Sequence, residues 1–176
     1  MKPYITPELT IHGKKAFKFQ LEGLERKDIE SLLKGQKLVA YGLPNGHTFQ
    51  AVWDLSFFFE SGLVVHFSSA CSEAGGWQEV GSLNIGCSQA ANSAAEAIEM
   101  EFAVTPSLQL TGMQMLVFED EDVVVECGLV LHGVDGQELV VAAGIPPGSV
   151  SVLASFAADK QFEPQFSLSS CRRERI

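Results

Sequence analysis

A seven-residue stretch occurs twice in this chain: Glu60-Ser61-Gly62-Leu63-Val64-Val65-His66 returns as Glu126-Cys127-Gly128-Leu129-Val130-Leu131-His132, with five positions identical. At the same offset Asp54 aligns with Asp120, Gly46 with Gly112, and Phe57-Phe58-Phe59 with Val123-Val124-Val125. Agreement that extends beyond the motif is how internal duplication is recognised. After the histidine the copies part: the first carries a polar stretch, 70–76, read as an inserted loop, and the second turns at once through Asp135-Gly136. Gln78-Glu79-Val80 and Gln137-Glu138-Leu139 bring them together again. Each copy reads as strand, glycine junction, strand, loop and strand, an antiparallel meander, with the halves at 46–86 and 112–145. Residues 62–66 and 128–132 are apolar on both faces, as central strands are.

The rest of the chain fits around these halves. Residues 14–21 alternate as a strand, and 26–33 place Ile29, Leu32 and Leu33 at helical spacing before a Gly35 stop. Alanine-rich 87–97 predicts a second short helix capped by Ser88. Ile98, Met100, Phe102 and Val104 alternate as a half-exposed strand, Leu108, Leu110 and 113–118 continue the β pattern, and 150–156 gives a last strand before a tail containing Pro164. Asn45-Gly46 and Asp135-Gly136 are hairpin signals. Residues 139–158 are uncharged over a length that spans a bilayer. Pro146-Pro147-Gly148 in their middle breaks a helix and predicts two strands around a turn instead. The expectation is one domain over 1–176, α+β and β-rich: two related antiparallel β-meanders forming a sandwich or barrel-like sheet core, with one or two short helices.

Charge is segregated along the chain. No lysine or arginine lies between Lys37 and Lys160, while fifteen carboxylates lie from Asp54 to Asp159. Average composition would place on the order of fifteen cations there. Residues 1–37 sum to +3, the middle to −15 and 160–176 to +2, which gives the net −10. A phosphate clamp or a polybasic membrane patch needs closely spaced Lys or Arg, so neither nucleic acid nor a membrane surface is an expected partner. The complement of this middle is something positive. Residues 1–7 lack the apolar core of a secretory signal, which predicts a cytoplasmic protein. Cys71, Cys87, Cys127 and Cys171 are too sparse for a disulfide scaffold and wrongly spaced for zinc, so reduced thiols are expected.

Catalytic signatures are missing. The chain has no G-x-S-x-G, no Walker loop, no H-E-x-x-H and no G-x-G-x-x-G. No cofactor is expected, and the reading leans away from an enzyme. Two candidate sites remain. The first is Glu119-Asp120-Glu121-Asp122, which lacks the alternating ligands and glycine of a calcium loop. Its bland reading is a solvated turn; its functional reading is a docking face for a basic protein, in the manner of an inhibitor or immunity-like protein. The second is Glu60, His66, Glu126 and His132, which a pseudo-dyad between the halves would gather at one opening for a small ligand or an enzyme's substrate. Two histidines fall short of the about three or four ligands a zinc site uses, so no metal is expected. Cys127, inside an apolar run, reads as a packed thiol and Cys71 as an exposed one. The leading expectation is a non-catalytic interaction protein whose acidic body binds a cationic protein partner; the alternative is a small ligand-binding domain or enzyme using the interior between the repeats.

Overall fold

The computed structural model describes residues 1–76, 78–89, 100–157 and 161–176. In order, the chain forms β1 (Glu8–Leu9), β2 (Lys15–Phe17), β3 (Gln20–Glu22), a short helix α1 (Ile29–Leu33), β4 (Lys37–Pro44), β5 (Leu55–Phe59), β6 (Leu63–Gly75), β7 (Gln78–Gln89), β8 (Met100–Glu119), β9 (Val123–Gly133), β10 (Glu138–Ala143), β11 (Val150–Leu153) and β12 (Cys171–Glu174). The strands make one twelve-stranded sheet along the path β1-β2-β9-β8-β4-β5-β6-β7-β3, with β10 added to β9, β11 to β10 and β12 to β8. It is a mixed sheet, because β2 joins β9 and β3 joins β7 in parallel.

The sheet curls about β8. Residues up to Gln109 pair with β4, residues from Leu110 pair with β9, and register shifts fall at Leu110/Gly112 and Leu116/Val117. Irregularities of this kind sharpen the twist, and the sheet rolls into a half-barrel. Strands β2 and β3 lie near opposite ends of the path, yet only Lys18 and Phe19 separate them in sequence. From Phe17 to Gln20 a chain reaches at most about 11 Å, so the two ends of the sheet meet across a narrow seam. This is why 14–21, expected as one strand, is two. At the crossing Phe19 donates its N–H to Glu126 Oε2 at 2.8 Å instead of to a ladder.

Inside the curl Phe57, Phe67, Leu83, Ile85, Leu129 and Val141 form the main core. A second cluster, including Phe17, Val125, Val130 and Val140, lies on the other side of β9 and β10 beneath Phe118, Phe166 and Leu168. Both faces of β9 and β10 are therefore covered, which is why those strands read as unbroken apolar runs.

The two copies of the repeated heptad take different structures, and the strand-junction-strand reading is corrected for the second. Glu60-Ser61-Gly62 turns between β5 and β6, with Gly62 at φ +84°. Glu126-Cys127-Gly128 runs straight through β9. Leu116 opposes Gly128 and Val117 opposes Glu126, so Cys127 is the extra residue of a β-bulge. The same residue type serves two purposes: Gly62 supplies a left-handed turn, whereas a Cβ on Gly128 would stand 2.9 Å from the Val141 carbonyl oxygen and 3.0 Å from Ala142 Cβ. Consequently Phe57-Phe58-Phe59 folds back on β6, while Val123-Val124-Val125 continues into the strand it precedes. The polar stretch 70–76 is not a loop either; β6 extends to Gly75, with Ala70, Ser72 and Ala74 buried as small residues. Of the helix expected at 87–97, Cys87, Ser88 and Gln89 belong to β7, paired with Val65, Val64 and Leu63; the remainder lies outside the described residues. The helix at 26–33 is a 3-10 turn over Arg26–Asp28 followed by α1. The strand expected over 150–156 stops at Leu153, and it is not the last, because the tail beyond Pro164 adds β12. Among the described residues no helix is long and apolar enough to cross a membrane.

Folding also recombines the segregated charge. Lys14 and Arg172 meet Glu119, Arg26 meets Glu126, Lys37 meets Glu60 and Arg173 meets Glu138. Five cations from the two ends thus lie on four carboxylates of the middle.

Candidate functional site

Strands β5, β6 and β7 turn one face outward, and the alternation of each strand places its polar residues there: Ser56 on β5, His66 and Ser68 on β6, Asn84 and Ser88 on β7. Ser56 is the cross-strand partner of His66, and Gly86 is its partner on the other side. Because Gly86 has no side chain, the imidazole reaches diagonally past it to Ser88. His66 Nδ1 lies 2.9 Å from Ser56 Oγ and Nε2 lies 2.9 Å from Ser88 Oγ. Next along the face, Asn84 donates to Ser68 Oγ at 3.3 Å and accepts from Gln20 at 2.9 Å. The result is a polar floor fixed by hydrogen bonds between neighbouring strands.

Over this floor opens a cleft of about 640 Å³. The loop between β4 and β5 contributes Trp53 and Asp54 to its wall, β3 contributes Glu22, and among the described residues no Lys or Arg side chain lines it. Trp53 is 51% exposed, with its indole against Gly148, where a Cβ would come within 3.1 Å of Cζ3. Glu22 accepts the Met1 ammonium at 3.0 Å, whereas Asp54 has no ion pair among the described residues. Cys87 lines the cleft as a thiol, its pKa pushed up to about 11 by burial. The hydroxyl of Ser88 with the imidazole of His66 has the outline of a nucleophile and base. The other ring nitrogen, however, faces the Ser56 hydroxyl, where a triad holds a carboxylate to stabilise the imidazolium.

Of the four residues expected at a shared opening, the cleft receives His66 only. His132 lies on β9, 3.1 Å from Gln114 Oε1 and 3.6 Å from Glu138 Oε1. Glu60 is exposed at the β5–β6 turn and bonded to Lys37 at 3.0 Å. Glu126 is nearly buried; it takes Arg26 through two bonds of 2.9 and 2.8 Å in addition to the Phe19 amide, and so fastens the seam. Straight passage of β9 through Glu126 sends the two copies of the motif to different places, and the gathering fails for that reason. Among the described residues no group of three or more His, Cys, Asp or Glu is arranged to hold a metal ion.

The acidic run forms the β8–β9 turn. Glu119 is held by Lys14 at 2.7 Å and by Arg172, and those hydrogen bonds lower its pKa to about 2. Asp120 accepts the N–H groups of Asp122 and Val123 at 2.9 Å each, closing the turn on its own side chain. Glu121 and Asp122 are exposed and have no ion pair among the described residues.

The cleft residues missed in the sequence are Trp53, Asp54, Ser56 and Ser88. Trp-Asp between an aromatic loop and a strand was a usable sign. Ser56 and Ser88 gain meaning only from the register that sets them on either side of His66. Comparison with protein-family models, curated proteins and solved structures found no match to this chain.

Proposed function

We propose that the protein is a non-catalytic binding protein for a positively charged partner, and that the partner's cationic group, an alkylammonium or guanidinium, enters the cleft beside His66. The observation that carries this reading is an exposed indole, Trp53, beside a carboxylate, Asp54, that has no ion pair among the described residues, in a wall to which no described Lys or Arg contributes. A cation over an indole face gains about 0.5–2 kcal/mol, and a carboxylate adds a charge-assisted hydrogen bond. The hydroxyl oxygens of Ser68 and Ser88 offer acceptors for the remaining N–H donors. The net charge of −10 raises the local concentration of any cation. A second reading, docking of a basic protein at the β8–β9 turn, is favoured by the exposure of Glu121 and Asp122.

Calorimetric titration with tetramethylammonium, spermidine, a lysine-rich peptide, glucose and citrate tests both. Amines that bind, weaken with added salt, and lose most of their affinity on Trp53→Ala or Asp54→Asn support the cleft. The lysine-rich peptide binding alone, with loss on Glu121→Lys/Asp122→Lys, moves the site to the turn. No binding by any cation refutes both readings.

A further inference from the structure

Outside the cleft, two thiols lie against each other. Cys127 Sγ is 3.7 Å from Cys171 Sγ. Two structural features bring them together: the bulge in β9 that sets Cys127 out of the regular ladder, and the pairing of β12 with β8, which puts Cys171 opposite Phe118. Cys127 is buried and Cys171 is half-buried, so Cys171 is the more accessible residue of the pair. We propose that Cys127 and Cys171 are a redox pair, forming a reversible disulfide that fastens the C-terminal strand to the sheet when the protein meets a peroxide.

The roles follow from the environments. The hydrogen bond between the two thiols lowers the pKa of Cys171, and the same bond together with burial raises that of Cys127. The Cys171 thiolate attacks one peroxide oxygen, the O–O bond breaks, hydroxide leaves, and Cys171 becomes a sulfenic acid. Cys127 sulfur then attacks the Cys171 sulfur; the S–S bond forms, and the sulfenic oxygen departs as water with the Cys127 proton. Thiols have been oxidised by two electrons and the peroxide reduced by two. The sulfurs must approach by under about 2 Å to reach the usual S–S length of about 2.05 Å, and because β9 and β12 flank β8 on opposite sides, that movement also draws the strands toward each other across β8. It falls on β12, an edge strand of four residues, Cys171–Glu174. In the reduced protein β12 is held by its ladder to β8 and by Arg172 on Glu119 and Arg173 on Glu138. The disulfide makes that attachment covalent. Cys71 and Cys87 have no thiol neighbour among the described residues, and burial raises both pKa values, so the oxidation is selective.

The test is peroxide treatment of the full chain, alkylation of remaining thiols, and mass mapping with a glutamate-specific protease, since trypsin has no site between Lys37 and Lys160. The expected product is an intramolecular cross-linked peptide pair containing Cys127 and Cys171, reversed by dithiothreitol, absent in Cys171→Ser, and accompanied by a higher thermal midpoint. Cys171→Ser removes the half-buried partner and spares the packed thiol, and mapping of the unaltered chain does not depend on any variant folding. Sulfinic acid on Cys171 with Cys127 still alkylatable, cross-links only between molecules, or oxidation confined to Cys71 or Cys87 overturns the proposal.

Discussion

The seam between β2 and β3 gives the most demanding prediction. Arg26→Met removes the guanidinium and leaves the Glu126 carboxylate, 9% exposed, with the Phe19 amide as its one remaining donor among the described residues. Breaking a fully buried ion pair costs about 3–5 kcal/mol. The Arg26 side chain is 40% exposed and the amide persists, so the expected loss falls lower, about 2–3 kcal/mol. Glu126→Leu takes the acceptor from three N–H groups; Arg26 turns to water, while the Phe19 amide at the crossing does not, for about 2 kcal/mol. In the double variant no buried charge is stranded, only that amide, and the cost returns to about 1–2 kcal/mol. The coupling energy is then about 2–4 kcal/mol. Urea unfolding followed by far-UV circular dichroism measures all four proteins, compared by midpoint at constant m. A coupling below about 0.5 kcal/mol refutes the view that this ion pair fastens the seam.

Other substitutions probe separate claims. Glu119 has a folded pKa of about 2 against an ordinary 4.5, so its contribution is present above pH 4.5 and is lost as pH falls toward 2. Urea midpoints of wild type and Glu119→Gln should therefore converge over that window, and a gap that stays constant removes the linkage. Gly62→Ala should cost about 1–2 kcal/mol through its left-handed backbone, and Gly128→Ala about 1–3 kcal/mol through overpacking against β10. Partial relief of the second, but not the first, by Ala142→Gly, which removes one of the side-chain contacts at 3.0 Å, would show the two mechanisms apart in thermal melts. Glu121→Lys/Asp122→Lys should shift stability by about 0.5 kcal/mol or less, whereas Asp120→Ala, which opens the turn, should cost about 1 kcal/mol; equal midpoints for the two proteins would contradict the turn's dependence on Asp120.

Much of the β framework was legible because alternation and turn chemistry are local. The Asp135-Gly136 turn stands between β9 and β10, with Gly136 at φ +72°, and Gly148 at φ +86° breaks the uncharged stretch as expected of Pro-Pro-Gly. The repeated heptad misled because its glycine is compatible with two different demands, a left-handed turn at 62 and a close approach at 128, and sequence does not say which applies. The segment 87–89 looked helical from composition, but pairing with β6 overrides a weak propensity. Charge segregation was plain in the sequence, yet part of its complement proved to be the chain's own ends, folded onto Glu60, Glu119, Glu126 and Glu138. His66 was visible as a candidate. Its hydroxyl partners were not, because Ser56 and Ser88 lie far apart in sequence and meet it only through strand register. The approach of Cys127 to Cys171 was hidden likewise, since it depends on a bulge in β9 and an edge strand on β8.

The location of binding is the most direct test of the functional account. Two-dimensional ¹H–¹⁵N spectra recorded during titration with tetramethylammonium follow the Trp53 indole N–H together with the backbone amides of Asp54, Ser68 and Ser88. The account predicts saturable shifts confined to these cleft signals, with the Glu121 and Asp122 amides unmoved and the response abolished in Asp54→Asn. Shifts that centre on Glu121 and Asp122, or that grow without saturation over all exposed carboxylates, would contradict a cation site beside His66.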